Sequence, residues 1–123
     1  MKKLLVGITL FASTGLMAQI AAPQPSPLAK IEQKVGLTDI TIVYSRPSKK
    51  DRVIFGDLVP MNELWRTGAN KNTMITTSDA IVFGKDTLKA GTYSVFTKPA
   101  ASEWSIYFYT DTENWGTPEE WKE

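Results

Sequence analysis

The sequence predicts a mainly β domain, an antiparallel β-sandwich or barrel-like sheet with one short helical turn. Three observations predict it. Apolar and polar residues alternate with period two in several separate stretches, which is the mark of a strand with one face buried. Clusters of Gly, Asp, Ser and Pro separate those stretches, and these residues form turns. The result is about seven closely spaced strands, an arrangement that suits antiparallel sheets.

The first segment is a processing signal. Lys2 and Lys3 precede an apolar run from Leu4 to Leu16, and Met17-Ala18-Gln19 offers cleavage after Ala18. The run is shorter than the ~20 residues that span a bilayer, so it reads as a signal peptide over residues 1–18 and not as a transmembrane anchor. The protein is expected to be exported, to the periplasm or beyond the cell. Removing Lys2 and Lys3 from the 14 basic residues leaves 12 against 13 acidic ones, a net charge of −1. That balance gives no basic footprint for nucleic acid. The chain has no cysteine, so neither a disulfide nor a lipid anchor on that residue is available. Stability has to come from packing.

Residues 19–29 read as a proline-rich linker, since the prolines at 23, 25 and 27 lack N–H donors and favour extended chain. A single β domain is expected over 30–116, with a polar tail at 117–123. Ile31, Gln33 and Val35 alternate with Lys30, Glu32 and Lys34, a half-buried strand. A tight connection at Gly36-Leu37-Thr38-Asp39 leads to a second strand through Ile40, Ile42 and Tyr44, so the pair is a hairpin. Pro47 ends it. Arg46 to Arg52 is a charged loop. Pro60 suits the first position of a helical turn over Met61 to Trp65, with Gly68 as its stop.

Thr73 to Thr77 is β-branched and strand-like. Ala80 to Phe83 and Thr87-Leu88 flank Gly84-Lys85-Asp86 as a short hairpin. Thr92 to Thr97 is a further strand. Trp104, Ile106 and Phe108 alternate with Ser105, Tyr107 and Tyr109, the strongest strand in the chain, with Trp104 expected in the core. This strand lies close to the C-terminus as an edge open to self-association. Thr117-Pro118-Glu119-Glu120 has the cap, proline and acids of a helix start. Trp115 and Trp121 have no obvious partner.

Four stretches resemble the bacterial domain of unknown function 2911 family. They are Tyr44-Ser45-Arg46-Pro47, Ile54-Phe55-Gly56-Asp57-Leu58-Val59-Pro60, Trp65-Arg66-Thr67-Gly68-Ala69-Asn70, and Ala90-Gly91-Thr92-Tyr93-Ser94-Val95-Phe96-Thr97. Trp104 and Trp115-Gly116 fit the same order. The resemblance runs from about Ser26 to Gly116, with specificity in the order and spacing of the motifs. It implies an exported, mostly β domain and no known activity. It also implies further β-rich sequence after the Trp-Gly, so the chain is expected to be a C-terminally truncated member.

Histidine and cysteine are both absent. This removes Ser-His-Asp and Cys-His nucleophilic mechanisms and zinc sites built on those residues. No phosphate-binding glycine motif and no calcium-loop spacing is present, and no cofactor is implied. A carboxylate pair such as Asp57 and Glu63 keeps a glycan hydrolase open as an alternative, although both acids read first as solvated or paired with Arg52 and Arg66.

The candidate site is the stretch from Trp65 to Asn70. Read as a ligand site, Trp65 offers a flat stacking surface, Arg66 a fork for an anion and Asn70 a two-way amide. A small polar ligand or a glycan suits that mixture. Read as structure, Trp65 plugs the core, Arg66 pairs with a carboxylate such as Asp57, Gly68 takes a positive φ and Asn70 bonds loop backbone. The structural reading comes first. Thr67 lies within the motif. Arg46 and Arg52 flank Lys49-Lys50, which read as a solvated loop with a weak anion site as the alternative. The expected function is a non-catalytic ligand- or partner-binding module, with the glycan hydrolase and a purely structural or defective truncated module as the alternatives.

Overall fold

The computed structural model describes residues 22–121, and the expected signal peptide lies outside them. Seven strands follow in order: β1 (Leu28–Val35), β2 (Thr38–Ser45), β3 (Met74–Thr77), β4 (Ile81–Phe83), β5 (Asp86–Leu88), β6 (Gly91–Lys98) and β7 (Ser105–Tyr109). Five form one antiparallel sheet in the order β1-β2-β3-β6-β7, and β4-β5 is a separate hairpin. The sheet is open between its edges β1 and β7. Among the described residues it does not close into a barrel, and the strands outside it are the two of the β4-β5 hairpin.

The turns explain the two hairpins. Val35 pairs with Thr38 and Phe83 with Asp86, so each turn has two residues. Gly36 and Gly84 open them at φ 61°, a conformation that costs glycine little.

Pairing across the sheet assigns its faces, because directly opposed residues share a side and successive residues alternate. Ile31, Ile42, Ile75 and Tyr93 line up across four strands, and Val95 continues the row to Phe108. On this first face Phe83 of the hairpin stacks on Phe108 at 5.4 Å. Phe55 meets Trp65 and Trp104 edge-on at 6.1 and 5.0 Å. The second face carries Ser94, Phe96, Tyr107 and Tyr109. The C-terminal tail covers it, with Trp121 at 5.4 Å from Phe96 and 5.1 Å from both tyrosines. Phe96 is fully buried beneath that cover.

The packed centre is small. Val59 and Phe96 are the buried large apolar side chains among the described residues. Around them β6 is the best-covered strand. β1 stays mostly exposed, because it is an edge with nothing over its apolar row. The strand forms as expected, but its expected half-burial does not: Ile31, Gln33 and Val35 are all exposed.

Three expectations need correction. No helix occurs among the described residues. Met61 to Trp65 does not coil, because Asn62 adopts a left-handed φ of 63° and its N–H goes to Pro99 O at 2.7 Å. Trp65 then pairs with Thr97 in an isolated antiparallel bridge. Residues 117, 119 and 120 form bends and none of 117–120 is helical. One isolated turn offers too few hydrogen bonds to offset its nucleation cost. Trp104 is no core residue. It is 46% exposed, since it precedes the edge strand and packs on Phe55 alone among the rings.

Candidate functional site

The connection between β2 and β3, residues 46–73, contains no strand of its own beyond isolated bridges. Connections beyond roughly 12–15 residues without regular structure are uncommon in compact domains and often carry function. Every non-glycine residue with positive φ among the described ones lies here: Lys50, Asn62, Thr67 and Asn70. For β-branched Thr67, at φ 56°, that conformation is strained, and it persists only where the surroundings hold it.

The surroundings do hold it. Trp65 N–H donates to Thr97 O at 2.8 Å, and Thr97 N–H returns to Trp65 O at 2.9 Å. This fixes the segment beside the end of β6. The Thr67 hydroxyl meets Trp65 O at 3.2 Å and the Thr97 hydroxyl at 3.0 Å. Thr73 donates to Thr67 O at 2.6 Å. Gly68 follows at φ 153°, where an added Cβ would stand 3.1 Å from Thr73 Oγ1 and 3.5 Å from Ser45 O. No side chain fits there without displacing that hydroxyl. Asn70 donates to Ser26 O at 3.3 Å, tying down the proline-rich segment.

These ties shape a cleft of about 630 Å³ at the end of the sheet. One wall is Trp65, Arg66, Gly68 and Ala69. The other is the charged loop, with Lys49, Lys50 and Arg52. Val59, Ile54 and Leu58 supply apolar lining, and Pro25 and Ser26 border it. Val59 is set by its N–H to Ile54 O at 2.8 Å and by Gly56 N–H donating to Val59 O at 2.9 Å. Arg52 braces its own loop, donating to Ser48 O at 2.6 Å and Lys49 O at 3.2 Å. Arg66 makes no hydrogen bond or ion pair within the described residues. One of its guanidinium nitrogens lies beside Gly116.

The cleft therefore holds four cationic side chains, a flat indole and no carboxylate among its lining residues. Of the expected site residues, Trp65, Arg66 and Gly68 line it. Thr67 and Asn70 shape it through hydrogen bonds. Arg46 and Asp57 stand outside its lining and are both exposed. Arg66 and Asp57 do not pair. Glu63 is outside as well, so the carboxylate pair needed for acid–base hydrolysis is not assembled in this cleft. Among the described residues, no group of three or more acidic side chains is placed to hold a metal ion. No helix there is long and apolar enough to cross a membrane.

Lys49 and Lys50 entered the sequence reading only through the weak-anion-site alternative, and Asn72 escaped it. Lys49 and Lys50 looked like solvent-facing charge, and only the return of the chain at Trp65 converts them into a wall. Asn72 is nearly fully buried and exchanges two hydrogen bonds with Gly116, which lies 44 residues away. No local pattern in the sequence marks it.

No curated protein and no solved structure matches the chain. Residues 26–123 match the family described as protein of unknown function (DUF2911). That range starts at Ser26, on the border of the cleft, and continues through the tail that covers Phe96. The chain thus belongs to the DUF2911 family.

Proposed function

We propose that this protein is an exported, non-catalytic binding module whose cleft takes a small anionic ligand with a flat face, such as a carboxylated sugar. The observation that carries the reading is that Lys49, Lys50, Arg52 and Arg66 line one cleft with Trp65 and no carboxylate is among its lining residues. Unopposed cations raise the local concentration of anions. A free guanidinium gives a carboxylate two parallel hydrogen bonds. The indole offers a stacking face, and Val59 and Leu58 add apolar contact. The strained, hydrogen-bonded backbone at Thr67 and Gly68 fixes Arg66 and Trp65 before the ligand arrives, which lowers the ordering cost of binding.

A thermal-shift comparison of glucuronate with glucose tests the reading. Glucuronate raises the melting temperature in a concentration-dependent manner, and glucose leaves it unchanged. Equal shifts from both sugars, or none from either, would overturn it.

A further inference from the structure

We propose that the cleft takes an acidic oligosaccharide, a chain of uronate units that engages cations from two stretches of the protein at once, rather than a single charged sugar. This rests on the reading of the cleft as an anion site and names the class of ligand for that site. Lys49, Lys50 and Arg52 belong to the loop after β2, and Arg66 belongs to the segment bridged to β6. Each stretch is held on its own. The loop is braced internally, with Arg52 donating to Lys49 O and Ser48 O. The other stretch is tied to Thr97 through Trp65.

The cations differ in what they have left to give. Arg52 already donates from two of its nitrogens to backbone, and the lysine ammonium groups act as point charges. Arg66 makes no hydrogen bond or ion pair among the described residues, so its whole fork is open to a carboxylate. One carboxylate on that fork leaves three of the four lining cations without a counter-charge, since no acid lines the cleft. Cations that share a cleft repel one another, and a second anionic group on the ligand relieves that repulsion where a neutral group does not. Size and lining agree with a chain. The cleft has about 630 Å³, the volume of a site for a drug-sized ligand, and one sugar ring fills only part of it. Ile54, Leu58 and Val59 line it together with Trp65 and suit the C–H faces of successive rings. A nucleotide gathers its charge at one end, beside a flat base. Here the charge is divided between two stretches of chain, and the sequence has no glycine-rich phosphate loop.

Calorimetric titration of galacturonate, digalacturonate and trigalacturonate into the protein at physiological salt tests this. Trigalacturonate binds tighter than galacturonate by about tenfold or more, as for at least one added charged hydrogen bond. Its fully methyl-esterified form, equal in rings and without charge, loses that gain. The double variant Lys49→Gln/Lys50→Gln changes two exposed side chains, so its melting temperature is retained, and it brings the affinities of the two acids close together. Galacturonate that binds the wild type as tightly as trigalacturonate overturns this inference and leaves the anion cleft standing. No binding by any of the three acids overturns both. A methyl ester that matches the acid, or AMP that displaces trigalacturonate at lower concentration than galacturonate does, overturns the assignment to an acidic chain. So does a double variant that keeps the full preference for trigalacturonate.

Discussion

Asn72 and Gly116 exchange a reciprocal pair of hydrogen bonds. Asn72 Nδ2 donates to Gly116 O at 3.0 Å, and Gly116 N–H donates to Asn72 Oδ1 at 2.9 Å. This amide clip pins the tail to the start of β3. The tail then carries Trp121 onto Phe96 and Tyr109, while Gly116 comes to lie beside Arg66. One buried side chain thus links the cover of the core to a wall of the cleft.

Replacing it breaks both bonds and leaves the half-buried carbonyl and N–H of Gly116 without those partners. Asn72→Ala is expected to destabilise the fold by about 1–3 kcal/mol. Urea unfolding followed by circular dichroism measures it. Asn72→Asp sets a buried carboxylate oxygen against Gly116 O in place of the donor, so it should be no more stable than Asn72→Ala.

Gly68→Ala places a methyl group 3.1 Å from Thr73 Oγ1 at φ 153°. The hydroxyl that holds Thr67 O has to move, and the backbone is strained for any L side chain. A loss of roughly 1–3 kcal/mol is expected. The same substitution disturbs the cleft wall, so ligand response falls with stability. Urea titration of the variant beside Ala69→Gly, a neighbouring change without the clash, separates strain from simple loop sensitivity.

Trp121→Ala uncovers Phe96 and removes contact from Tyr107 and Tyr109. A fully buried tryptophan costs about 3–5 kcal/mol on truncation. Trp121 is partly exposed, so a loss of about 2–3 kcal/mol is expected. For a domain of this size each 1 kcal/mol moves the melting temperature by about 4–8 °C. A shift below that of a single such step would mean that the tail does not seal the core in solution.

The two ion pairs supply a contrasting expectation. Lys30–Glu32 and Lys34–Asp39 both lie on the β1-β2 hairpin with more than half of each side chain exposed. Exposed pairs contribute little. Lys34→Ala should change stability by less than about 0.5 kcal/mol, read from the same urea titration.

The β1-β2 and β4-β5 hairpins were legible because their signals are local. Ile40, Ile42 and Tyr44 alternate beside a glycine turn, and Gly84 opens the second. The neighbourhood of Trp65 was not. Its partner Thr97 belongs to another strand, and that cross-strand bond outweighs the propensity of a single helical turn. Gly68 could be read as a positive-φ residue because glycine alone takes such a place easily. The cleft could not be read. Lys49, Lys50 and Arg66 line one cleft although the hydrogen-bonded turn from Ile54 to Val59 lies between them in the chain.

Calorimetric titration of glucuronate into the wild type and Arg66→Gln, at low and at high salt, tests the anion-binding cleft. Arg66→Gln keeps a polar side chain of similar reach and removes the charge, and among the described residues Arg66 makes no hydrogen bond or ion pair that its loss would break. The expected result is saturable binding by the wild type that weakens as salt screens the cations. In Arg66→Gln the affinity should fall about tenfold or more, as for the loss of a charged hydrogen bond of ~1.5–3 kcal/mol. Binding that is unchanged by salt and equal in the variant would contradict the assignment of the cleft.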